Sequence, residues 1–252
     1  MKVIYKLGVI LLSVLLNVSC HDITTEDIAK VTYYVDIDLE GGEQYLLPVG
    51  TAYVEPGMAA TENGEDVSSK VQISGTVDHT KIGFYDIKYS ATNVDGFSKS
   101  VTRTVIVYDP SVTVDISGDY AVNANLSNRF QFSNSAVIKY GDMAATYGGG
   151  DFSSYVVKIE KLVPGIFSVT DLFGGYYSEG RAYTPGSAYE MTGYISLTPL
   201  NKIEHCSSIV QAWGDALDDI QNGLYDPLTN TLSWGAVYAG NTYSFNVVLN
   251  KK

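Results

Sequence analysis

The sequence predicts an all-β protein in which a β-sandwich is followed by a second antiparallel β-sandwich or small barrel. Strand-length runs of β-branched and aromatic residues recur from Val31 onward. Turn signals containing Gly, Pro, Asn and Asp separate these runs about every 8 to 12 residues, a spacing typical of all-β domains. DALDDIQ, at residues 215–221, is the only stretch that offers a helical turn. This pattern argues against helical and α/β folds.

Composition and charge narrow the class of function. The chain has 252 residues, of which 45% are hydrophobic, so it is expected to bury a core rather than to be disordered. Its 16 Lys and Arg residues stand against 28 Asp and Glu residues, which gives a net charge of -12. Because nucleic acid is a polyanion and no basic run interrupts this acidic chain, no nucleic-acid partner is expected.

Residues 1–20 have the pattern of a bacterial lipoprotein signal peptide. Two lysines precede an apolar stretch at residues 7–16, which is too short to span a bilayer of roughly 30 Å. Ser19 then precedes Cys20, the residue that would carry the lipid. An ordinary secretory signal that ends near a cysteine is the alternative. Residues 21–30 are polar and acidic, as expected of a tether, so the sequence predicts membrane attachment through lipid on Cys20.

Residues 31–109 are predicted to form the first β domain. Its two longest strand candidates alternate between core-facing and polar residues, so each is expected to bury one face. The boundary is placed at Asp109-Pro110, because a proline directly after a terminal strand cannot continue the hydrogen-bond ladder. The residues predicted to face the core are Tyr85, Ile87, Tyr89, Ala91, Val101, Arg103, Val105 and Val107.

Four motifs within residues 50–109 carry a resemblance to a known family. They are Pro56-Gly57, Gly64-Glu65-Asp66, Gly83-Phe84-Tyr85 with Tyr89, and Asn93-Val94-Asp95-Gly96. The segment resembles the bacterial Ig-like domain of the pesticidal-crystal-protein type, which is frequent in surface lipoproteins of Bacteroidetes. The resemblance implies a seven-stranded sandwich that acts as a spacer or adhesion module.

Residues 110–252 are predicted to form a C-terminal antiparallel β domain. The expected architecture is a meander, closed as a small barrel or folded as a sandwich, whose last strand pairs near the start and hides the sheet edges. Gly148-Gly149-Gly150-Asp151 and Ala239-Gly240-Asn241 are predicted hairpin turns. The predicted strands are VTVDI, YAVNAN, AVIKYG, SYVVKIEKL, GIFSVTD, AYEMTGYISLTPL, TLSWGAVYA and TYSFNVVLNK.

This C-terminal segment carries a second resemblance. The stretches SGDYAVNA, TDLFGGYYSEGRAY, AWGDALDDIQNGLYDPLTNTLSW and YSFNVVL are similar to an uncharacterised domain that accompanies the Ig module in Bacteroidetes lipoproteins. The resemblance implies a lipid-anchored protein of the outer membrane, at the cell surface, in a polysaccharide-utilisation system with an outer-membrane transporter complex. It implies no catalytic activity.

The chain lacks the residue patterns of common catalytic and metal centres. No H-E-x-x-H, G-x-S-x-G, C-x-x-C or P-loop pattern is present, and the three histidines have no metal-ligand spacing. Asp215, Asp218 and Asp219 are interpreted as a charged surface, with glycosidase carboxylates or a calcium loop as alternatives. Cys206 is interpreted as a buried structural thiol. We therefore expect no enzyme activity, no cofactor and no metal.

Aromatic residues are the candidates for ligand binding. Residues 171–189 concentrate five aromatics in a Gly-rich segment typical of an ordered loop. Flat rings beside carboxylate and amide acceptors suit a sugar ring, although large aromatics also fill β-domain cores. Gly174 and Gly175 precede two tyrosines, of which at least one is expected to be exposed. The candidate ligand-binding residues are Tyr176, Tyr177, Tyr183, Trp213, Asp215 and Trp234.

Three functions remain open on the sequence. The first is a cell-surface lipoprotein whose Ig-like spacer presents a glycan-binding C-terminal domain. The second is a non-catalytic interaction subunit of an outer-membrane complex without glycan affinity of its own. The third is a hydrolase that uses Asp171 or Asp215. We favour the first function, because it accounts for the lipid signal, the Ig module and the aromatic loop together.

Overall fold

The computed structural model describes residues 31–252, and this part of the chain is almost entirely β-structure, as predicted. The signal peptide at residues 1–20, the lipidation site Cys20 and the tether at residues 21–30 lie outside the described residues. Within the described part, no helix has the length and apolar character needed to cross a membrane.

The N-terminal part is a sandwich of seven strands in two sheets, as the Ig-like resemblance implies. The strands are β1 (Asp36–Leu39), β2 (Gln44–Pro48), β3 (Met58–Glu62), β4 (Glu65–Asp66), β5 (Gln72–Ser74), β6 (Gly83–Thr92) and β7 (Ser98–Tyr108). One sheet has the order β1-β3-β4, and the other has the order β2-β7-β6-β5. β2 runs parallel to β7, and the other pairs are antiparallel.

The alternation predicted for β6 and β7 is confirmed. The residues predicted to face the core are buried or half-buried, whereas Asp86 and Lys88 between them are exposed. Because successive residues of a strand point to opposite faces, this pattern puts one face of the sheet against β1 and β3. Arg103 is the one charged residue in the buried row.

Arg103 is held inside the sandwich by an ion pair and by backbone carbonyls. Its guanidinium pairs with the carboxylate of Glu55. The hydroxyls of Tyr53 and Tyr89 donate to that carboxylate at 2.6 and 2.5 Å. Burying a charge is costly unless it is paired and hydrogen-bonded, and this network meets both conditions. The carbonyls that accept from Arg103 belong to Glu40, Gly42 and Gly57, at 2.5, 3.1 and 3.2 Å.

The C-terminal part contains ten strands, of which eight close into a barrel. The strands are β8 (Gly118–Val122), β9 (Asn128–Gln131), β10 (Ala136–Lys139), β11 (Val156–Val163), β12 (Ile166–Val169), β13 (Met191–Leu197), β14 (Lys202–Val210), β15 (Asp219–Asp226), β16 (Thr231–Tyr238) and β17 (Tyr243–Lys251). β8 and β11 to β17 pair in sequence, and the ring closes where Leu249 of β17 lies opposite Val122 of β8. The β9–β10 hairpin pairs with the first half of β17.

Closure of the barrel confirms that the last strand pairs near the start and hides the edges. The turn at residues 239–241 joins β16 to β17, as predicted. VTVDI at residues 112–116 was predicted to be a strand, but it precedes β8 without joining a sheet. Val112 and Ile116 of this segment are nevertheless buried in the barrel core.

The segment predicted as a helical turn, residues 215–221, belongs instead to the barrel. Asp215 bridges Val210, and Asp219 begins β15, which pairs with β16. Leu217 between them is buried. The cross-strand ladder supplies hydrogen-bond partners to the backbone, and this gain outweighs the local helix preference.

The glycine run predicted as a hairpin follows a short helix instead. This helix, α1 (Met143–Tyr147), is the only α-helix within residues 31–252. Gly148 ends it in the left-handed conformation, with φ of +69°. A Cβ atom on Gly149 would come within 2.0 Å of the Gly180 carbonyl oxygen, so the close approach of two backbones requires glycine there.

The sandwich and the barrel pack on each other through apolar side chains. Ile106 from β7 forms a buried cluster with Val163 and Ile166 of the barrel. Phe84 of β6 contacts Tyr194 of β13, with ring centroids 4.8 Å apart. This contact covers the end of the outer face of the β6–β7 pair that carries Phe84 and Ile106, whereas Asp86 and Lys88 on the same face stay exposed.

Replacing Glu55 by Gln is expected to destabilise the protein by about 3 kcal/mol at neutral pH, because it leaves the Arg103 charge buried without its counter-ion. Burial pushes the pKa of Glu55 upward, but hydrogen bonds from Tyr53 and Tyr89, together with the Arg103 charge, hold it below its ordinary value of 4.5. The advantage of the wild-type protein over Glu55→Gln is therefore full above pH 4.5 and is lost as the pH falls through the lowered pKa.

Asp36→Asn is the matched control, since Asp36 pairs with Lys99 at 2.8 Å on the exposed surface. This substitution is expected to leave the urea midpoint unchanged. Equal urea midpoints for the Glu55 and Asp36 variants would contradict a special role for the buried pair.

Candidate functional site

The loop between β12 and β13, residues 170–190, is organised by the carboxylate of Asp171. This side chain is fully buried and accepts hydrogen bonds from the backbone N–H groups of Phe173 at 2.9 Å and Gly175 at 2.6 Å. It also accepts from the N–H of Met191 at 3.0 Å. Because Met191 is the first residue of β13, one side chain ties the two ends of the loop together.

Burial sets the charge state of this carboxyl group. Desolvation raises the pKa of Asp171 to about 6, although three backbone hydrogen bonds favour the charged form. The Tyr155 hydroxyl lies 3.0 Å from a carboxylate oxygen of Asp171 and 3.0 Å from one of Glu190. The oxygens of Asp171 are thus engaged by the protein's own groups.

Two glycines determine where the following tyrosines lie. Gly174 and Gly175 have φ values of +59° and +81°, and a Cβ on Gly174 would lie 2.8 Å from a β17 side chain. The chain then makes a π-helical turn over Tyr176–Gly180. Tyr176 is buried in the barrel core, whereas Tyr177 is half-buried and reaches the surface. The exposure expected for at least one of the two tyrosines is therefore found, in part, at Tyr177.

Four aromatic side chains, which we call the aromatic platform, are in continuous contact beside this loop. Tyr177 contacts the indole of Trp213 with centroids 4.9 Å apart, and Tyr189 contacts the same indole at 5.4 Å. Tyr183 lies 5.8 Å from Tyr177 and 5.0 Å from Tyr189. Trp213, in the turn between β14 and β15, is 39% exposed. The platform therefore combines a loop and a turn that are distant in sequence.

The turn that carries Trp213 is fixed to the loop. The N–H of Ala212 donates to the carbonyl of Ala188 at 2.8 Å. Two residues beyond Trp213, the exposed Asp215 accepts a hydrogen bond from the Tyr238 hydroxyl at 2.8 Å. Tyr189 belongs to the platform but was not among the predicted site residues. The predicted site residues that the fold places together here are Tyr177, Tyr183, Trp213 and Asp215.

The predictions for Tyr176 and Trp234 are wrong, because both side chains are part of the barrel core. Tyr176 has no exposed surface and contacts the ring of Phe245 at 5.0 Å. Trp234 lies in the middle of β16, and its indole N–H donates to the carbonyl of Leu172 at 2.9 Å. Neither ring is accessible to a ligand in this structure.

Sequence reasoning missed two arginines that border the platform. The guanidinium of Arg181 lies over the ring of Tyr147, 4.1 Å from its centroid, and donates to the Tyr183 hydroxyl at 3.3 Å. Arg129, on β9, lies 4.7 Å from the centroid of Tyr243. The rarity of arginine was the one sequence signal that could have indicated these two residues. The pairing of β9 with β17, which brings Arg129 to this place, leaves no local pattern in the sequence.

Cys206 is a structural thiol rather than a nucleophile. It is half-buried, and burial raises the pKa of its thiol to about 11, so it stays protonated at neutral pH. The neighbouring His205 is hydrogen-bonded to Ser208 at 2.9 Å. Within residues 31–252, no group of three or more His, Cys, Asp or Glu side chains is placed to hold a metal ion.

Two family models match this sequence. The Ig-like domain of bacterial surface proteins matches residues 37–107. A model for a C-terminal domain matches residues 109–251, which is more than half of the chain. No curated protein matches the sequence.

Solved structures also match. The lipoprotein BT2262 from Bacteroides thetaiotaomicron is 39% identical, and the match covers 86% of this chain and 100% of that one, with a TM-score of 0.44. CBM51-2 in complex with GlcNAc and INT domains from Clostridium perfringens ZmpB matches 54% of this chain and 31% of its own, at 21% identity and a TM-score of 0.28. The M60 catalytic domain of ZmpB with its CBM51-1 and CBM51-2 domains matches 56% of this chain and 15% of its own, at 19% identity and a TM-score of 0.30.

The carboxyl group of Asp171 is expected to titrate near pH 6, because desolvation outweighs the hydrogen bonds that favour its charged form. Since this pKa lies above the ordinary 3.8, the stability linked to this group is full below pH 3.8 and is lost as the pH rises through about 6. Carbon-detected NMR of side-chain carboxyl groups measures the value. The internal control is the exposed Asp151, whose pKa is lowered by hydrogen bonds from Ser153. Titration of Asp171 at or below the pH at which Asp151 titrates would contradict the prediction.

Proposed function

Because this chain belongs to the family of bacterial surface lipoproteins in which an Ig-like domain precedes a characteristic C-terminal β domain, we propose that it is a lipid-anchored glycan-binding protein of the cell surface. In this proposal the Ig-like sandwich is a spacer, and the barrel carries the ligand site. The observation that carries the proposal is the aromatic platform with its partly exposed Trp213.

The platform has the chemistry that a sugar ring needs. The C–H face of a pyranose packs on aromatic rings, while its hydroxyl groups need hydrogen-bond partners at the edge of the site. The tyrosines of the platform bring phenol groups, and the exposed carboxylate of Asp215 supplies an acceptor close to Trp213. Ring contacts hold the platform in one arrangement, so little side-chain entropy is lost when a ligand binds.

Trp213 is not needed to fill the barrel core. The other tryptophan, Trp234, is only 2% exposed and has its N–H bonded inside the barrel. Trp213 instead lies on a turn, contacts Tyr177 and Tyr189, and leaves 39% of its surface in solvent. A contiguous apolar surface of this kind is typical of a binding site.

The proposed anchor is lipid on Cys20, and residues 21–30 would connect it to the sandwich. The signal pattern and the similar Bacteroides lipoprotein support this arrangement. Attachment to the outer membrane would place the barrel where it can capture polysaccharide for uptake, beside an outer-membrane transporter complex. The protein's role in a polysaccharide-utilisation system is part of the same proposal.

The alternative is a non-catalytic interaction subunit of such a complex, without glycan affinity of its own. Aromatic anchors also dominate many protein–protein interfaces, so the same platform suits a protein partner. The two functions differ in one property, which is direct binding of glycan by the purified protein.

Trp213→Ala is expected to weaken glycan binding about tenfold to hundredfold, since one stacking anchor contributes roughly 1–3 kcal/mol. The melting temperature is expected to change little, because the indole is partly exposed and leaves no closed cavity. A glycan array identifies the ligand for the wild-type protein, and calorimetry on that ligand then measures the variant.

Phe97→Ala is the matched control, since Phe97 is an aromatic residue of the sandwich that is 50% exposed. It is expected to leave both binding and melting unchanged. If the wild-type protein bound no glycan but bound the transporter complex, the interaction function would replace the proposed one. A large fall in the melting temperature of Trp213→Ala with unchanged glycan binding would assign this residue to the core.

A further inference from the structure

Two of the three arginines in the chain border the same surface. Arg103 is paired with Glu55 inside the sandwich. Arg129 and Arg181 lie next to the aromatic platform, and neither makes an ion pair with any residue of the described chain. The chain has a net charge of -12, so acidic side chains that could pair with an arginine are plentiful. Two arginines without an ion pair at one place therefore indicate a role other than pairing within the protein.

Arg129 lies over two tyrosine rings, and its guanidinium has no hydrogen-bond acceptor among the residues that the structure describes. Its guanidinium carbon is 4.7 Å from the centroid of Tyr243 and 5.7 Å from that of Tyr176. Its Nε atom is buried and has no hydrogen-bond partner within residues 31–252. An unpaired buried donor on a charged group costs free energy. Arg129 as a whole is half-buried, so part of its side chain remains open to an incoming acceptor.

The hydroxyl of Tyr176 is a second buried polar group at the same place. This side chain has no exposed surface, and its ring contacts Tyr140 at 5.6 Å and Phe245 at 5.0 Å. Burial raises the pKa of this phenol, and the neighbouring guanidinium groups of Arg129 and Arg181 oppose the rise. The hydroxyl therefore remains a hydrogen-bond donor close to both positive charges.

Arg181 connects these buried groups to the platform. It donates to the hydroxyl of Tyr183, a member of the platform, and lies over the ring of Tyr147. Glu179, on the same turn, does not neutralise it. The carboxylate of Glu179 lies against the backbone of Gly150 and makes no ion pair within residues 31–252.

We propose that Arg129 and Arg181 form an anion subsite beside the aromatic platform, and that it receives the carboxylate or sulfate group of an acidic glycan. This inference rests on the proposed glycan-binding function and names its substrate class. A guanidinium donates parallel hydrogen bonds to carboxylate and sulfate oxygens. An acidic sugar would bind its charge at the arginines and a neighbouring ring on the platform.

The test is a glycan array that pairs carboxylated and sulfated glycans with their neutral counterparts, probed with the intact protein. The wild-type protein is expected to bind acidic members at least about tenfold more tightly than the neutral ones. Arg129→Met and Arg181→Met are each expected to lose about tenfold on the acidic members. Arg129→Met is also expected to keep or raise the melting temperature, because it removes an unpaired buried donor.

Lys139→Met is the matched control, since it removes one positive charge from β10, the strand next to β9. It is expected to leave binding unchanged. Binding of neutral glycans with no loss in either arginine variant would overturn the anion subsite and leave the glycan-binding function intact. An equal loss in Lys139→Met would also overturn the subsite, because net charge would then explain the effect. Absence of binding to any glycan would overturn both proposals.

Discussion

Backbone groups of an irregular segment that packs against a β core need hydrogen-bond partners, and in each half of this protein a buried charged side chain supplies them. In the sandwich, Arg103 donates to three carbonyls in the connections around β2. In the barrel, Asp171 accepts from three N–H groups of the loop at residues 170–190 and the start of β13. The aromatic platform depends on the second network, because this loop carries three of its four rings.

Tyrosine and tryptophan complete the same network from inside the barrel. The hydroxyl of Tyr140 donates to the carbonyl of Phe173 at 2.6 Å, and the indole of Trp234 donates to the carbonyl of Leu172 at 2.9 Å. These rings fill the core while their polar atoms satisfy loop carbonyls. The Asp171 carboxylate accepts hydrogen bonds from N–H groups of the loop, and the Tyr140 hydroxyl and the Trp234 indole donate to carbonyls of the loop. These hydrogen bonds hold the long loop without a disulfide.

Local sequence pattern predicts the regular part of this fold better than it predicts the site. The alternation along β6 and β7 follows from the period of two in a strand, and barrel closure follows from the need to hide edges. The sequence does not distinguish the adjacent Tyr176 and Tyr177. The left-handed conformation of Gly174 and Gly175 directs Tyr176 into the core and Tyr177 towards the surface. Trp213 lies on a turn and is partly exposed, whereas Trp234 lies in the middle of a strand and is buried. Arg129 reaches the site through the pairing of β9 with β17, which is a contact between segments distant in sequence.

The role of Asp171 is tested most directly by backbone hydrogen exchange, measured by NMR in the wild-type protein and in Asp171→Ala. In the wild-type protein we predict protected amides at Phe173, Gly175 and Met191, where the carboxylate accepts. In the variant we predict that protection is lost across residues 173–191, while the amides of β16 remain protected. Loop amides that stay protected in the variant would contradict this role, because the loop would then be held without the Asp171 carboxylate.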